Sequence, residues 1–257
     1  METTVDEVAD GIYRLSTFVP AANLPFNQYL IRAEEPVLFH AGNRQLFEPV
    51  SEAVGRVVPP GQLRWLTFGH VEADECGAMN RWLEAAPGLQ FLHGLTGTLV
   101  SLNDLADRPP RSVTDGETVD LGGKRIRWIN TPHVPHGWDA GLIYEETTGT
   151  LLAGDLFTAS GPAPATTDSD IVTPATEAEE LYRYTAITPS TGPVIRGLAG
   201  LEPATLALMH GPAFTGDGAG ALRALGDYYD DCLRQQLADR PDVARVLPGP
   251  SDSRPAE

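Results

Sequence analysis

The sequence predicts an α/β protein in which packed β-sheets carry helices on their outer faces. Segments with the composition of β-strands come in clusters that helical segments interrupt, without strict strand–helix alternation. We find no internal repeat and no linker, so we expect a single domain over residues 1–247. Residues 248–257, rich in proline and serine, are expected to form a disordered tail.

The first part of the chain predicts five strands and two helices. Apolar residues at helical spacing predict a helix over residues 46–58, which a Pro-Pro-Gly sequence closes. A second helix follows residues 63–68, with Met79, Trp82 and Leu83 on one face. The strands are predicted at residues 11–16, 29–31, 37–39, 63–68 and 89–92.

The second part predicts two hairpins, then a long loop, a further strand and two helices. Residues 117–121 and 125–129 flank Gly122-Gly123, a hairpin signal, and residues 141–144 and 150–153 flank a second turn. Residues 157–175, rich in Pro, Thr, Ser, Ala and Gly, predict a long loop that shapes access to a site. An apolar strand is predicted at residues 206–209, and helices are predicted at residues 177–185 and 222–237.

Charge and composition exclude several classes of partner. The net charge of −17 argues against binding to nucleic acid or to anionic membranes, which require basic surfaces. No apolar run reaches the length of a membrane span, and the amino terminus lacks the pattern of a signal peptide. Two distant cysteines, Cys76 and Cys232, give no disulfide framework. We therefore expect a cytoplasmic protein with reduced thiols.

Three residues with metal-binding side chains follow the apolar segment at residues 63–68. His70, Glu72 and Asp74 occupy alternate positions. In an extended segment, side chains two residues apart point to the same side, so these three are expected to converge on one spot. The pattern predicts a site at the end of this strand.

Other predicted strands also end in histidine or aspartate. His133 and His136 follow residues 125–129, Asp155 follows residues 150–153, and His210 ends an apolar run. A single such residue is more often a turn or cap residue than a ligand. Together, however, the four strand ends predict a metal site.

With these residues, the sequence resembles the metallo-β-lactamase superfamily, and more narrowly the di-iron domain of flavodiiron proteins and of smaller oxygen-binding di-iron proteins. The resemblance covers about residues 10–235. Its motifs are His70-x-Glu72-x-Asp74, His136-x-x-Asp139, Gly154-Asp155 and His210-Gly211-Pro212. It implies a four-layer αβ/βα sandwich of two mixed β-sheets, the metallo-β-lactamase fold, with two metals at one edge.

The resemblance also implies which residues hold each metal. One ion is expected to bind His70, Glu72, His136 and Asp155. The second is expected to bind Asp74, His210 and the same Asp155, which would bridge both ions, and Asp74 and His210 are the expected catalytic residues. His136 is preferred to His133 because Asp139 follows it at the family's spacing, and Trp138 is expected to form a pocket wall.

Two positions depart from the family pattern. Glu75 stands where the family usually has a histidine directly after the aspartate, so the second metal either lacks a nitrogen ligand or gains a carboxylate. His40 stands where the superfamily commonly has an aspartate near the metals, and it either bonds a ligand or packs. His133 is expected to be a loop residue, His93 a surface or core-edge residue, and Cys76 a buried thiol.

The predicted ligand set favours iron. Three imidazoles stand beside up to four carboxylates, and hard, anionic oxygen donors suit iron or manganese better than zinc. We expect two iron ions, with zinc or manganese as the alternative. No Gly-rich phosphate-binding loop precedes a helix, so no FMN site is expected on this chain.

Three functions start from this ligand set. The resemblance implies a di-iron centre that binds or reduces O2 or NO, with electrons from a separate donor protein. The first alternative is hydrolysis of an ester, thioester or phosphodiester by a metal-bound hydroxide that Asp74 orients. The second is a non-enzymatic O2 sensor. A homodimer is compatible with each of them.

Overall fold

Two β-sheets of seven strands each form the centre of the fold. The structure is a computed structural model that describes residues 1–239. The expected tail at residues 248–257 lies outside the described residues. Both sheets contain parallel and antiparallel neighbours, and helices cover their outer faces, so the expected αβ/βα sandwich of two mixed sheets is confirmed.

The first sheet uses the first seven strands in sequence order. The strands β1 to β4 are antiparallel, and the strands β4 to β7 are parallel. The bounds are Thr3–Ala9 (β1), Ile12–Val19 (β2), Leu24–Ile31 (β3), Val37–Phe39 (β4), Trp65–Thr67 (β5), Gln90–Gly94 (β6) and Arg111–Val113 (β7).

The second sheet has the order β12-β14-β13-β11-β10-β9-β8. The neighbours β11 and β13 are parallel, so both strands end at the same edge of the sheet. The bounds are Thr118–Asp120 (β8), Arg125–Asn130 (β9), Gly141–Glu145 (β10), Thr150–Gly154 (β11), Thr166–Thr167 (β12), Thr205–Leu208 (β13) and Ala213–Phe214 (β14).

Within residues 1–239, six helices flank the sheets. They are Phe47–Gly55 (α1), Ala73–Cys76 (α2), Met79–Ala85 (α3), Val172–Tyr182 (α4), Thr191–Leu198 (α5) and Gly218–Asp239 (α6), and short helical turns lie at Arg44–Leu46, Pro60–Gln62, Leu95–Gly97, Thr98–Leu102, Asn103–Leu105 and Ala199–Leu201. The helices α1 and α3 pack on the first sheet, and α5 and α6 pack on the second. A third apolar core lies between the sheets. No helix within residues 1–239 is both long and apolar enough to cross a membrane.

Several elements differ from the prediction, which also lacks the short strands β7, β12 and β14. The strand β1 was missed because its sequence is polar, with only Thr3 and Val8 buried, and pairing with β2 supplies its hydrogen bonds. The helix α4 begins inside the predicted loop, where the Asp170 carboxylate accepts hydrogen bonds from the main-chain N–H of Val172 (2.8 Å) and Thr173 (3.3 Å). The helix α5 was also missed.

Candidate metal centre

His70, Glu72 and Asp74 leave the first sheet in the loop after β5, which ends at Thr67. The prediction that an extended segment presents all three on one side was wrong. Glu72 directly precedes α2, and Asp74 lies in the first turn of this helix. The helical hydrogen bonds begin at Glu72, whose carbonyl oxygen accepts from the Cys76 N–H (2.8 Å). The three side chains still reach one region, but through a loop followed by a helical turn.

The tightest cluster joins His70, Glu72 and His136. The Nε2 atoms of the two histidines are 2.8 Å apart, and each is 2.8 Å from Oε2 of Glu72. Oδ2 of Asp155 lies 3.7 Å from both Nε2 atoms. One ligand atom from each of the four residues lies within 4.8 Å of the others. The residues expected around the first metal are therefore brought together.

Asp155 also reaches the residues expected around the second metal. Its Oδ1 lies 3.4 Å from Nε2 of His210, and that Nε2 lies 3.3 Å from Oδ2 of Asp74. Asp155 and His210 meet because β11 and β13 are parallel neighbours that end at one sheet edge. Asp155 thus directs one oxygen towards each group, as a bridging carboxylate would.

The far side of each histidine ring meets a different environment. Nδ1 of His210 lies 2.9 Å from the Pro25 carbonyl oxygen. Nδ1 of His136 is buried and has no hydrogen-bond partner within the described residues. The His136 loop is tied to the His70 loop, since the Val71 N–H donates to Oδ2 of Asp139 (2.9 Å).

Glu75 occupies the space behind His70. Its side chain is fully buried, and Oε2 accepts hydrogen bonds from the main-chain N–H of Gly69 (2.5 Å) and His70 (2.8 Å). Oε1 lies 3.1 Å from Nδ1 of His70 and 3.6 Å from Nε2 of His40. The sequence analysis kept Glu75 as a possible further ligand. The structure places its carboxylate beside Nδ1 of His70, on the edge of the ring away from Nε2. His40 contacts this carboxylate.

The first sheet holds the His210 loop across the interface between the sheets. The Asn27 side-chain N–H group donates to the carbonyl oxygens of Leu208 (2.8 Å) and Gly211 (2.7 Å). The Tyr29 hydroxyl donates to the Leu208 carbonyl (2.8 Å), and the Arg14 guanidinium donates to the Gly211 carbonyl (3.1 Å). Polar groups from β2 and β3 therefore set the position of a loop in the second sheet.

Buried opposite charges shift the pKa values of the cluster. Burial alone lowers the pKa of His210, but the carboxylates of Asp155 and Asp74 raise it to about 10. Burial also opposes the charge on His70, yet Glu75 and Glu72 hold its pKa well above the usual value. Hydrogen bonds from the two cluster histidines lower the pKa of Glu72. Without metal, protons on these histidines balance the negative charge of the carboxylates, and a metal ion must displace those protons.

The remaining singled-out residues lie outside the cluster. His133 is exposed in its loop, as expected. His93 is fully buried against the rings of Phe68 and Trp128 at 4.8 and 5.0 Å, so the expectation of a surface or core-edge position was wrong. Cys76 is buried and burial raises the pKa of its thiol to about 12, which confirms an unreactive thiol.

The cluster opens into a cavity of about 130 Å³. Its walls are Leu24, Glu72, Asp74, His136, Asp155, Thr158, Tyr182, Tyr184 and His210. The Tyr184 hydroxyl lies 3.4 Å from the Asp155 carbonyl oxygen, and its ring is 6.2 Å from that of His136. The expectation that Trp138 forms a wall was wrong, since its side chain is 58% exposed and lies outside this lining. Sequence reasoning missed Tyr184, because nothing in its local pattern marks it.

Comparison with known proteins identifies relatives of this chain. A family profile described as ODP family beta lactamase matches residues 24–187. The chain is 27% identical over 194 residues to the putative diflavin flavoprotein A 1 of Nostoc sp., covering 73% of this chain and 33% of that protein. It is 25% identical over 201 residues to the flavo-diiron protein FprA2 of Clostridium acetobutylicum, covering 75% and 50%. The chain thus spans about a third to a half of these relatives.

The fold is that of solved flavodiiron-type structures. The rubredoxin oxygen:oxidoreductase of Desulfovibrio gigas superposes with a TM-score of 0.76 at 18% identity, covering 88% of this chain and 62% of that one. The predicted resemblance to the metallo-β-lactamase superfamily, and to the di-iron domain of flavodiiron proteins, is confirmed. Because the family profile covers more than half of its residues, this chain belongs to the ODP beta-lactamase family.

Proposed function

We propose that this domain carries a non-haem di-iron centre that binds and reduces O2 or NO. The observation that carries the proposal is the carboxylate-rich donor set around Asp155, whose two oxygens face two groups of histidines and acids. Hard oxygen donors mixed with imidazoles suit iron. Several relatives are named flavodiiron or diflavin proteins, and one is named a rubredoxin-oxygen oxidoreductase.

The buried polar atoms of the site fit a pair of cations. Within the described residues, Oδ1 of Asp155 and Oδ1 of Asp74 are buried without a hydrogen-bond partner. Unpaired carboxylate oxygens in an apolar interior are costly unless a cation or a donor satisfies them. His70, Glu72, His136 and Asp155 would hold one iron, and Asp74, His210 and Asp155 the other. The ions would supply electron transfer to the bound gas.

The protein side chains would position the ligand and limit access of water. His70, Asp155 and His210 are almost completely buried, so the ligand reaches them through the cavity lined by Thr158 and Tyr184. The Tyr184 hydroxyl is the donor at this wall, and burial raises its pKa, which keeps its proton in place at neutral pH. A separate protein would deliver the electrons.

The test is the metal content and redox behaviour of freshly purified full-length protein. The proposal predicts about two irons per chain, a visible absorption that bleaches on chemical reduction, and O2 or NO consumption with an artificial electron donor. Two zinc ions, no visible band and cleavage of a thioester or phosphodiester would overturn it in favour of hydrolysis. Reversible O2 binding without consumption would indicate a sensor and overturn the reductase role.

A further inference from the structure

We propose that Glu75 is a positioning residue for His70 and not a ligand, and that its orientation makes the Asp74–His210 position the weaker of two unequal metal positions. The inference rests on the dinuclear centre proposed above. Its physical basis is the placement of one fully buried carboxylate between a histidine and two main-chain amides.

Two main-chain hydrogen bonds fix Oε2 of the Glu75 carboxylate. The N–H groups of Gly69 and His70 hold Oε2 at 2.5 and 2.8 Å. Gly69 permits this approach, because a Cβ atom there would lie 3.0 Å from Oε2 and 3.1 Å from the Gly141 carbonyl oxygen. Since successive helical residues project about 100° apart, Glu75 points away from the direction taken by Asp74 in α2.

The carboxylate determines which nitrogen of His70 is free. Oε1 is buried without a hydrogen-bond partner in the described residues and lies 3.1 Å from Nδ1, so a proton on Nδ1 would pair with it and leave the Nε2 lone pair facing Glu72, His136 and Asp155. Carboxylates that hold a metal-binding histidine in this way fix the ring and increase its basicity. Glu75 therefore strengthens the position that already has four ligand residues.

The other position has fewer protein ligands. Asp74, His210 and the shared Asp155 supply it, and His210 is supported by a neutral main-chain carbonyl rather than by a carboxylate. Glu75 cannot supplement it while its oxygens are engaged behind His70. The two positions should consequently fill in sequence, with the His70 position first.

The test is a Zn²⁺ titration of the full, metal-stripped chain in competition with a chromogenic chelator. Wild type should bind two ions, the second at least ~10-fold more weakly than the first. In Glu75→Gln, the tight ion should bind ~10- to 100-fold more weakly, as for other supporting partners of ligands, while the weak ion is unchanged. The matched control is Glu84→Gln, an exposed glutamate on α3, which should behave as wild type.

Histidine ¹⁵N NMR of the Zn²⁺-loaded protein provides a second readout. Wild type should show His70 bound through Nε2 with a proton on Nδ1, and this proton's resonance should move in Glu75→Gln. Equal affinities in wild type, or a Glu75→Gln variant that weakens only the second ion, would overturn the inference and leave the dinuclear centre intact. Absence of zinc, iron and manganese binding at both positions would overturn the proposed function itself. If Glu75→Gln fails to fold, the wild-type protein tests the inference, through the two Zn²⁺ affinities and the NMR spectrum of His70.

Discussion

The two halves of the candidate metal centre are held by different parts of the chain. In the His70 half, a local motif positions His70, since Glu75, five residues away, supports the ring and Glu72 joins it, while His136 and Asp155 come from loops of the second sheet. The His210 half depends on the first sheet, where Asn27 and the Pro25 carbonyl contact its loop across more than 180 residues of sequence. The position of His70 is thus set by a short motif, and that of His210 by the packing of two sheets.

This difference has a physical consequence. Local contacts within a short loop form without large chain entropy costs, whereas contacts between distant segments require both sheets to be in place. Removing the contacts from β2 and β3 to the His210 loop should therefore affect the His210 half more than the His70 half. The following substitutions test this comparison.

The largest effect is expected for Asp155→Ala, which removes the carboxylate shared by both halves. Each oxygen faces a different histidine group, so loss of the side chain should lower the metal content from about two ions per chain towards zero. Elemental analysis of the purified variant measures this, with the exposed Asp168→Ala as the control. Full metal content in Asp155→Ala would contradict the bridging role.

The pair His136→Ala and His210→Ala should separate the halves. His210→Ala should retain one tightly bound ion per chain, because the His70 cluster keeps all four of its residues. His136→Ala should lose the tightly bound ion, since Nε2 of His136 belongs to the His70 cluster. Zn²⁺ titration against a chelator gives both results. Loss of every ion from His210→Ala would show that the halves do not bind independently.

Asn27→Ala should destabilise the His210 half through the interface. It removes two buried hydrogen bonds to the carbonyls of Leu208 and Gly211, and we expect a loss of ~1–3 kcal/mol in the free energy of unfolding. Urea denaturation of the metal-free protein measures it, with the exposed Gln62→Ala as the control. The variant should also bind the second Zn²⁺ ion more weakly, with a smaller loss of affinity for the first. An equal loss of affinity for both ions would argue that Asn27 supports both halves and not mainly the His210 half.

Per pH unit, the smallest effect is the pH dependence of the stability of the metal-free protein. His210 keeps its proton up to about pH 10 when folded, whereas an unfolded histidine loses it near ~6.5. The folded state therefore binds more protons in that window, and its stability falls as the pH rises through it. Denaturation of wild type and His210→Gln in chelator should show slopes that differ by at most about 1.4 kcal/mol per pH unit. Parallel profiles would show that His210 does not titrate in this way.

The sequence by itself determined the class of the fold and the residue types of the site. Apolar runs marked the central strands β4, β5, β11 and β13, because a buried strand requires continuous apolar side chains. Histidines and acids directly after such runs marked the edge at which they meet. These signals are local in sequence, so a single chain displays them.

Only the tertiary structure decided how the side chains are oriented. In the structure, Glu75 points towards His70, Tyr184 lies in the cavity wall and Trp138 lies outside it. It also showed that Asp74 belongs to a helical turn and not to a strand. The physical reason is that these orientations depend on backbone amides and carbonyls, such as those of Gly69 and Pro25, whose positions no residue pattern encodes.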